Sequence, residues 1–466
     1  MIFHNLSKSR DLQYRYDVRI MNRSYSISAW TLLSSIMALA VLLRLASAFY
    51  QGNSVTDLPG VYDQISYDGL ARRVVDGYGF SFAEGHWPVT RGGEPTAHWS
   101  YLYTLYLTVI YKFFGVYPLI ARVIQALLAG IFQTILMWRI GTRLFNRTVG
   151  LIAAALNAAY IYFFYYAGAL ITETFYITGI LWTFDICFRL LREDAKNIRF
   201  VQWFELGMAI GFTVLLRQVF LLFLPFLYIW IWWNKRHVEP VGWKRHLGIS
   251  TVKGLVLSTS VLVLMVLPFT IRNYRAFRTF VLLNTNAGFA FYWGNHPIHG
   301  THFMPLLSVP GRDYQSLIPP DLLNLNEGEL DKALLKEGIR IVMSDPVRYI
   351  ELSFSRIEEY IKFWPSEDSS FLSNVSRVGS FGILLPFMLL GLGISLLRFR
   401  DPSYPAQKPY LLILYLFIVI YASIHLLSWT LIRYRLPIDG FLIVFAALGF
   451  YTLAQRIQLK MTDGRG

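Results

Sequence analysis

Residues 29–49, AWTLLSSIMALAVLLRLASAF, form an apolar run long enough to cross a lipid bilayer as a helix. The 28 residues before this run are polar and carry five lysines and arginines. No small-residue cleavage site follows the run, so it predicts an uncleaved signal anchor whose N-terminal side is cytoplasmic.

Nine further apolar runs follow the first. Hydrophobic residues make up 55% of the 466 residues and charged residues 15%, and the mean hydropathy is +0.42. These values lie outside the range of soluble domains and predict an all-α polytopic membrane protein, a bundle of about 10 to 11 transmembrane helices with a small α-rich external segment. The candidate spans are 29–49, 118–140, 149–166, 169–190, 201–216, 218–233, 250–269, 379–397, 409–428 and 434–455.

The formal net charge of +14 does not indicate nucleic-acid binding. Lysines and arginines cluster at the ends of the apolar runs, where they anchor helices among membrane lipids and set topology. Cys187, the only cysteine, lies inside an apolar run, so no intrachain disulfide can form.

The distribution of positive charge predicts which segments face the outside. The basic loops fall on the N-terminal side of the membrane if Trp99–Phe114 does not span and if 200–233 is a helical hairpin bent near Arg217. The C-terminus is then cytoplasmic, and two large segments face outward. The predicted divisions are a cytoplasmic tail at 1–28, a transmembrane region at 29–271 with an outer loop at 50–117, an external segment at 272–378, transmembrane helices at 379–456, and a cytoplasmic tail at 457–466.

Four aspartates lie in the first outer loop, at positions 57, 63, 68 and 76. A carboxylate held near the membrane surface could deprotonate an acceptor hydroxyl, and Asp63 is the predicted base. Each of these acids could instead be a solvated loop residue or a helix N-cap.

Glu173 begins an apolar run at the predicted outer face. Acids at membrane depth are costly and are usually paired or functional. Together with Asp63 it could hold a divalent metal cation, which would neutralise a phosphate. The alternative is an N-cap or interface acid.

Four arginines also lie at predicted outer membrane edges, namely Arg217, Arg272, Arg433 and Arg435. Guanidinium groups bind phosphate oxygens bidentately, so several converging arginines would suit an anionic lipid-linked substrate. Any single one could instead be an interfacial anchor that reaches the headgroups.

Several short motifs follow one another in a recognisable order. They are Asp63-x-x-x-Tyr67-Asp68-x-Leu70-Ala71, Gly77-Tyr78-Gly79-Phe80, Gly141-x-Arg143-Leu144-Phe145, Ile171-Thr172-Glu173, Leu216-Arg217, Pro268-x-x-Ile271-Arg272-Asn273-Tyr274, Asn286-x-Gly288 before Gly294-Asn295-x-Pro297, and Arg433-Tyr434-Arg435-Leu436-Pro437. In this order they resemble the C-type (GT-C) membrane glycosyltransferases, in the bacterial branch related to protein O-mannosyltransferases and to the aminoarabinose transferase of lipid A, a group similar to glycosyltransferase family 39.

The resemblance implies a transferase that moves a sugar from a polyprenyl-phosphate carrier to a protein, lipid or glycan acceptor. It places the protein in a bacterial inner membrane with the active site on the periplasmic face. Asp63 matches the base, and Glu173 matches a second acidic position near the carrier phosphate or a metal. The remaining matched positions are assigned to substrate binding: Tyr67, Asp68, Arg217, Arg272, Asn295, Arg433 and Arg435.

The chain departs from the family pattern at two places. Ala97-His98-Trp99 stands where a proline-rich surface motif is common, and His296 stands where asparagine is common. These departures bear on the acceptor more than on the reaction.

Two other functions fit the same features. A transporter or flippase of lipid-linked sugars would also need many spans, outer arginines and membrane acids, although no inverted repeat is evident. A polymerase of lipid-linked glycan units would share the outer arginines and would use an oligosaccharide as acceptor.

Overall fold

The structure, a computed structural model, describes residues 15–20, 23–57, 63–193, 199–236, 248–305, 313–367 and 369–463. Within them, seven helices are long and apolar enough to span a membrane, and a pair bent by 50° would make an eighth. The predicted all-α polytopic class is confirmed. A short antiparallel hairpin of β1 (Arg15–Ile20) and β2 (Arg23–Ser28) precedes the first helix, with Arg15 paired to Ser28.

The helices follow one another with few long connections. In chain order they are α1 (Ala29–Gln51), α2 (Asp63–Val75), α3 (Tyr101–Phe114), α4 (Pro118–Leu144), α5 (Arg147–Ala159), α6 (Ile161–Gly168), α7 (Glu173–Arg192), α8 (Phe200–Leu216), α9 (Leu224–Lys235), α10 (Ile249–Phe277), α11 (Ala287–Asn295), α12 (Glu327–Ser344), α13 (Pro346–Ile361), α14 (Phe371–Arg400), α15 (Lys408–Leu427) and α16 (Leu436–Asp463). A π-helical turn at Val378–Gly382 lies within α14.

Each of the ten predicted runs contains a helix, but not every run is one straight span. The run at 149–166 is divided because Tyr160 adopts an extended conformation between α5 and α6. The run at 169–190 becomes helical only at Glu173, so the four residues before it form an irregular segment.

The predicted reversal near Arg217 is present. Arg217 is extended and separates α8 from a 3-10 turn at Gln218–Leu222 that leads into α9. The start of α8 and the end of α9 both lie beside the end of α7, because Gln202 donates to Glu193 (2.6 Å) and Lys235 donates to the Leu191 carbonyl oxygen (3.0 Å). The chain therefore turns back on itself at this arginine.

Helix packing in the bundle relies on close backbone approach. A Cβ atom at Gly391 of α14 would lie 1.7 Å from the carbonyl oxygen of Phe445 in α16, so only glycine fits there. Small residues at helix interfaces are typical of membrane bundles, where lipid provides no hydrophobic drive for helices to associate.

Several helix ends meet at one end of the bundle, which we call the site end. Arg122, fully buried near the start of α4, donates to the carbonyl oxygens of Gly52 (2.6 Å), Ser54 (2.8 Å) and Gly168 (2.8 Å). This one side chain holds together the ends of α1, α4 and α6. Helices α2 and α3 also pack here and do not reach spanning length.

Helices α11, α12 and α13 form a cap over the site end. Glu327 at the start of α12 accepts hydrogen bonds from the Ala97 amide (2.7 Å) and the Thr90 hydroxyl (2.9 Å), so it joins the cap to the segment between α2 and α3. One turn later, Asp331 accepts from the Gly288 amide (2.8 Å) at the start of α11. Burial raises the pKa of Asp331 to about 7.

Candidate active site

The site begins with the first turn of α2. Asp63 occupies that turn, where the positive end of the helix dipole favours a carboxylate. Ser66 and Tyr67 follow three and four residues later, so their side chains lie on the same helix face as that of Asp63. Asp63 is thus held on a rigid element rather than on a mobile loop.

Asp63 is paired with an arginine 370 residues away in sequence. The Nη1 atom of Arg433 donates to Asp63 Oδ2 at 2.6 Å. Arg433 lies in a 3-10 turn, Ile432–Arg435, immediately before α16. Both side chains are mostly buried, with 20% of Asp63 and 11% of Arg433 exposed.

Glu173 extends the pairing on the other side of Arg433. Its Oε1 atom lies 3.7 Å from Arg433 Nε and accepts a hydrogen bond from Arg217 Nη2. Arg217 Nε also donates to the hydroxyl of Thr172 at 2.9 Å. The order Asp63, Arg433, Glu173, Arg217 alternates in charge, and we call it the charge chain.

Aromatic rings border the two arginines of the charge chain. The Tyr434 ring centroid is 5.3 Å from the Arg217 guanidinium carbon and 5.5 Å from that of Arg433. His425 stacks on Tyr434 with centroids 4.8 Å apart. Aromatic faces attract guanidinium groups, so these rings hold both arginines in place beside the acids.

Tyr67 lies one turn along α2 from Asp63. Its ring packs edge-on against Trp99 (5.5 Å) and Tyr103 (4.9 Å), and its hydroxyl oxygen accepts from the Ser100 amide at 3.4 Å. Burial, and then the nearby charge of Asp63, raises the pKa of Tyr67 well above its usual value. The phenol therefore stays protonated and neutral next to the charge chain.

Two of the predicted site residues have partners away from the charge chain. Arg435, although only two residues after Arg433, donates to Asp439 Oδ1 (3.0 Å) in the first turn of α16. Asp68 accepts from the Tyr111 hydroxyl (2.6 Å) and from Arg72 Nε (2.7 Å). Their predicted roles in substrate binding stay predictions.

Arg272 and Asn295 also lie apart from it. Arg272 donates to the backbone carbonyls of Thr96 (2.9 Å) and Phe80 (3.0 Å), which connects α10 to the segment between α2 and α3. Asn295 is fully buried, and its Oδ1 atom accepts from Arg356 Nη2 at 2.8 Å. Of the four arginines predicted to converge, the structure brings together Arg217 and Arg433.

The donor set around Glu173 does not form a metal site in this arrangement. Each carboxylate of the charge chain faces a guanidinium group, and Arg433 lies between Asp63 and Glu173. Among the described residues, no group of three or more histidine, cysteine or acidic side chains could hold a metal ion. A cation bridging the two acids would have to displace Arg433.

Thr172 and His425 also belong to the site, although the sequence did not predict a role for either. Thr172 belongs to the Ile171-Thr172-Glu173 motif, and only the structure shows that its hydroxyl lies beside Arg217. His425 lies inside an otherwise apolar helix, and its Nε2 atom is buried with no hydrogen-bond partner among the described residues. An ionisable residue in a membrane run is itself a signal, and that signal could have pointed to His425.

The helical bundle has the same fold as solved structures of an archaeal oligosaccharyltransferase. The resemblance seen in the motifs is confirmed at the level of the fold. No family model and no curated protein sequence matches the chain.

Two solved structures of an archaeal enzyme are similar to this chain. The chain is similar to the archaeal oligosaccharyltransferase AglB from Archaeoglobus fulgidus in complex with an inhibitory peptide and a dolichol-phosphate, with 13% identity, a TM-score of 0.57, and coverage of 93% of this chain and 51% of that one. The Archaeoglobus fulgidus oligosaccharyltransferase in complex with Zn and sulfate has 14% identity and a TM-score of 0.55, with coverage of 92% of this chain and 50% of that one. This chain therefore spans about half the length of the archaeal structures.

A third structure, ArnT from Cupriavidus metallidurans bound to undecaprenyl phosphate, has 13% identity and a TM-score of 0.39, with coverage of 91% of this chain and 78% of that one. Of these three structures, the two archaeal ones support the fold.

Proposed function

We propose that this protein is an inverting glycosyltransferase that moves a sugar from a polyprenyl-phosphate carrier to an acceptor at the outer face of the membrane. The observation that carries this proposal is the charge chain. Four ionisable side chains from distant parts of the sequence meet at one end of a membrane bundle, where burying them is costly without a function.

The two acids and two arginines divide the work of an in-line displacement. Asp63 removes the proton from the acceptor hydroxyl as its oxygen bonds to the anomeric carbon. The bond from that carbon to the phosphate oxygen breaks on the opposite side, and its electron pair leaves with the polyprenyl phosphate. One displacement inverts the anomeric centre. Because the leaving group is a phosphate, no general acid is required.

Arg217 and Arg433 are the groups that receive the phosphate. Each guanidinium presents several donors in a fixed plane, and only part of them are used by Glu173, Thr172 and Asp63. Without a ligand, the two acids of the charge chain neutralise its two arginines. A bound phosphate therefore adds net negative charge to the charge chain. The arginines then stabilise the charge that develops on the leaving group.

A lipid-phosphate carrier also agrees with the fold comparison. The archaeal oligosaccharyltransferase with the same fold was solved with a dolichol-phosphate and an inhibitory peptide. Our proposal therefore includes a lipid-phosphate carrier. It also includes a location in a bacterial inner membrane and an active site on the periplasmic face. The transfer assay below identifies the acceptor class, whether protein, lipid or glycan.

A divalent metal at Glu173 stays a prediction. The archaeal enzyme was solved with Zn and sulfate, but in this chain both acids face arginines, so the mechanism proposed here uses the arginines alone.

The test is single-turnover transfer by the purified protein in lipid, with a panel of radiolabelled polyprenyl-phosphate sugars as donors and a membrane extract as acceptor. We expect label to leave the carrier and appear in a larger product. Label that crosses vesicles without leaving its carrier would instead identify a transporter or flippase. A ladder of products of increasing length would identify a polymerase.

A further inference from the structure

A line of aromatic rings leads away from the charge chain, beginning on α2 and continuing in the segment between α2 and α3. The first is Tyr67, one turn from Asp63, and its ring centroid is 5.5 Å from that of Trp99. Trp99 is in turn 6.1 Å from Trp87. Exposure rises along this line, because Tyr67 and Trp99 are buried whereas 43% of Trp87 is exposed.

Trp87 is held in place although its ring is open to solvent. The preceding residue, His86, has its Nε2 atom 2.7 Å from the hydroxyl of Ser66, which lies one turn from Asp63 on α2. The Trp87 ring also contacts the edge of His98 (5.3 Å) and lies 5.6 Å from Trp293 of the cap. A large exposed indole fixed on three sides loses little entropy when a ligand packs on it.

Polar groups beside the Trp87 ring lack partners in the described structure. The Nε1 atom of Trp99 is buried with no hydrogen-bond acceptor, and so is that of Trp293. His98 Nδ1 lies 2.8 Å from the Thr285 carbonyl oxygen and therefore carries the proton, which leaves Nε2 as an acceptor. Burial lowers the pKa of His98, so its ring is neutral.

A ligand for this place needs an apolar face and a rim of hydroxyl groups. A pyranose ring has both, since its axial C–H bonds pack on aromatic faces while its hydroxyls donate and accept hydrogen bonds. We propose that Trp87, His98 and Trp99 form a binding subsite for a sugar ring on the side of Asp63 that faces the cap. Two of these residues belong to Ala97-His98-Trp99, where the chain departs from its family pattern. This inference rests on the proposed function.

The ring can come from the donor or from a glycan acceptor, and binding measurements distinguish the two. The purified full chain in nanodiscs is titrated with undecaprenyl phosphate, with a panel of undecaprenyl-phosphate sugars, and with methyl glycosides of the same sugars. Acceptor KM is measured with the membrane extract. The variants are Trp87→Ala and Trp87→Phe. The matched control is Trp30→Ala, which removes a comparably exposed tryptophan from the end of α1 that lies away from the site end.

We expect Trp87→Ala to weaken sugar binding about five- to tenfold and Trp87→Phe to restore most of it. If the ring is the donor's, the loss affects carriers that bear a sugar and spares undecaprenyl phosphate. If it is the acceptor's, the acceptor KM rises by the same factor. Trp87→Ala with wild-type constants for donors, glycosides and acceptor would overturn the subsite.

A failure of the proposed function has a different signature. The wild-type protein would then transfer no sugar from any donor to the membrane extract, whether or not it binds polyprenyl phosphate, and binding of the methyl glycosides would be the remaining test of the subsite. Glycoside binding that depends on Trp87 supports the subsite, whereas its absence rejects it.

Discussion

Asp63→Asn is the most informative single substitution, because the charge chain predicts opposite effects on catalysis and on carrier binding. The asparagine carbonyl can still accept the hydrogen bond from Arg433 Nη1, which is 2.6 Å long in the native protein. Glu173 still lies 3.7 Å from Arg433 Nε, so the arginine keeps an acidic neighbour. We expect a loss of stability of only about 1–2 kcal/mol.

Catalysis should fall far more than stability. A positioned general base contributes a factor of roughly 100 to 10,000, equivalent to about 3–5.5 kcal/mol in the barrier. Carrier affinity should change in the other direction, since removal of one negative charge beside Arg433 leaves two arginines against one acid. Binding of undecaprenyl phosphate should therefore be unchanged or a few-fold tighter.

The assay compares single-turnover transfer, the Kd for undecaprenyl phosphate and the Tm in the same nanodiscs. Asp76→Asn is the matched control, because it removes an exposed carboxylate just beyond the other end of α2. Transfer by Asp63→Asn within about threefold of wild type would refute the assignment of the base. Loss of transfer together with loss of carrier binding would also refute it, since the acid would then be needed for binding.

Other outcomes follow from the same structure. Arg217→Lys keeps the charge but loses the forked contact with Thr172 and Glu173, so the Kd for undecaprenyl phosphate should rise about tenfold; an unchanged Kd would remove Arg217 from the phosphate site. Arg272→Gln should lower the Tm and leave that Kd unchanged, because its donors hold loop carbonyls; a weakened Kd with normal Tm would show that it binds substrate. The pKa of Asp331 is raised to about 7 from an ordinary value of about 3.9, so cap stability is highest at low pH and falls by up to about 4 kcal/mol as the pH rises through 7. Amide exchange at the start of α11 should show this loss, and Asp331→Asn should abolish it. Chelation with EDTA should leave transfer intact if arginines alone stabilise the phosphate, whereas rescue of lost transfer by a divalent cation would establish the metal predicted at Glu173.

The class of fold and the four residues of the charge chain could be predicted from the sequence. Helices of spanning length must satisfy their backbone groups internally, and their apolar runs are visible in any sequence that forms them. Acids and arginines beside such runs are also visible, because their placement at membrane depth is costly. Glu173, Arg217 and Arg433 were identified in this way, whereas Asp63 was identified from its motif in the first outer loop.

Which of these residues meet depends on how the helices pack. Arg433 and Arg435 lie two residues apart in one motif, so the sequence predicts the same role for both. The tight turn before α16 directs Arg433 toward Asp63 and Arg435 toward Asp439. Arg272 has the same charge and the same predicted depth, and packing places it on backbone carbonyls instead. Charge and depth are properties of a single position, whereas a pair 370 residues apart exists only once the helices have packed.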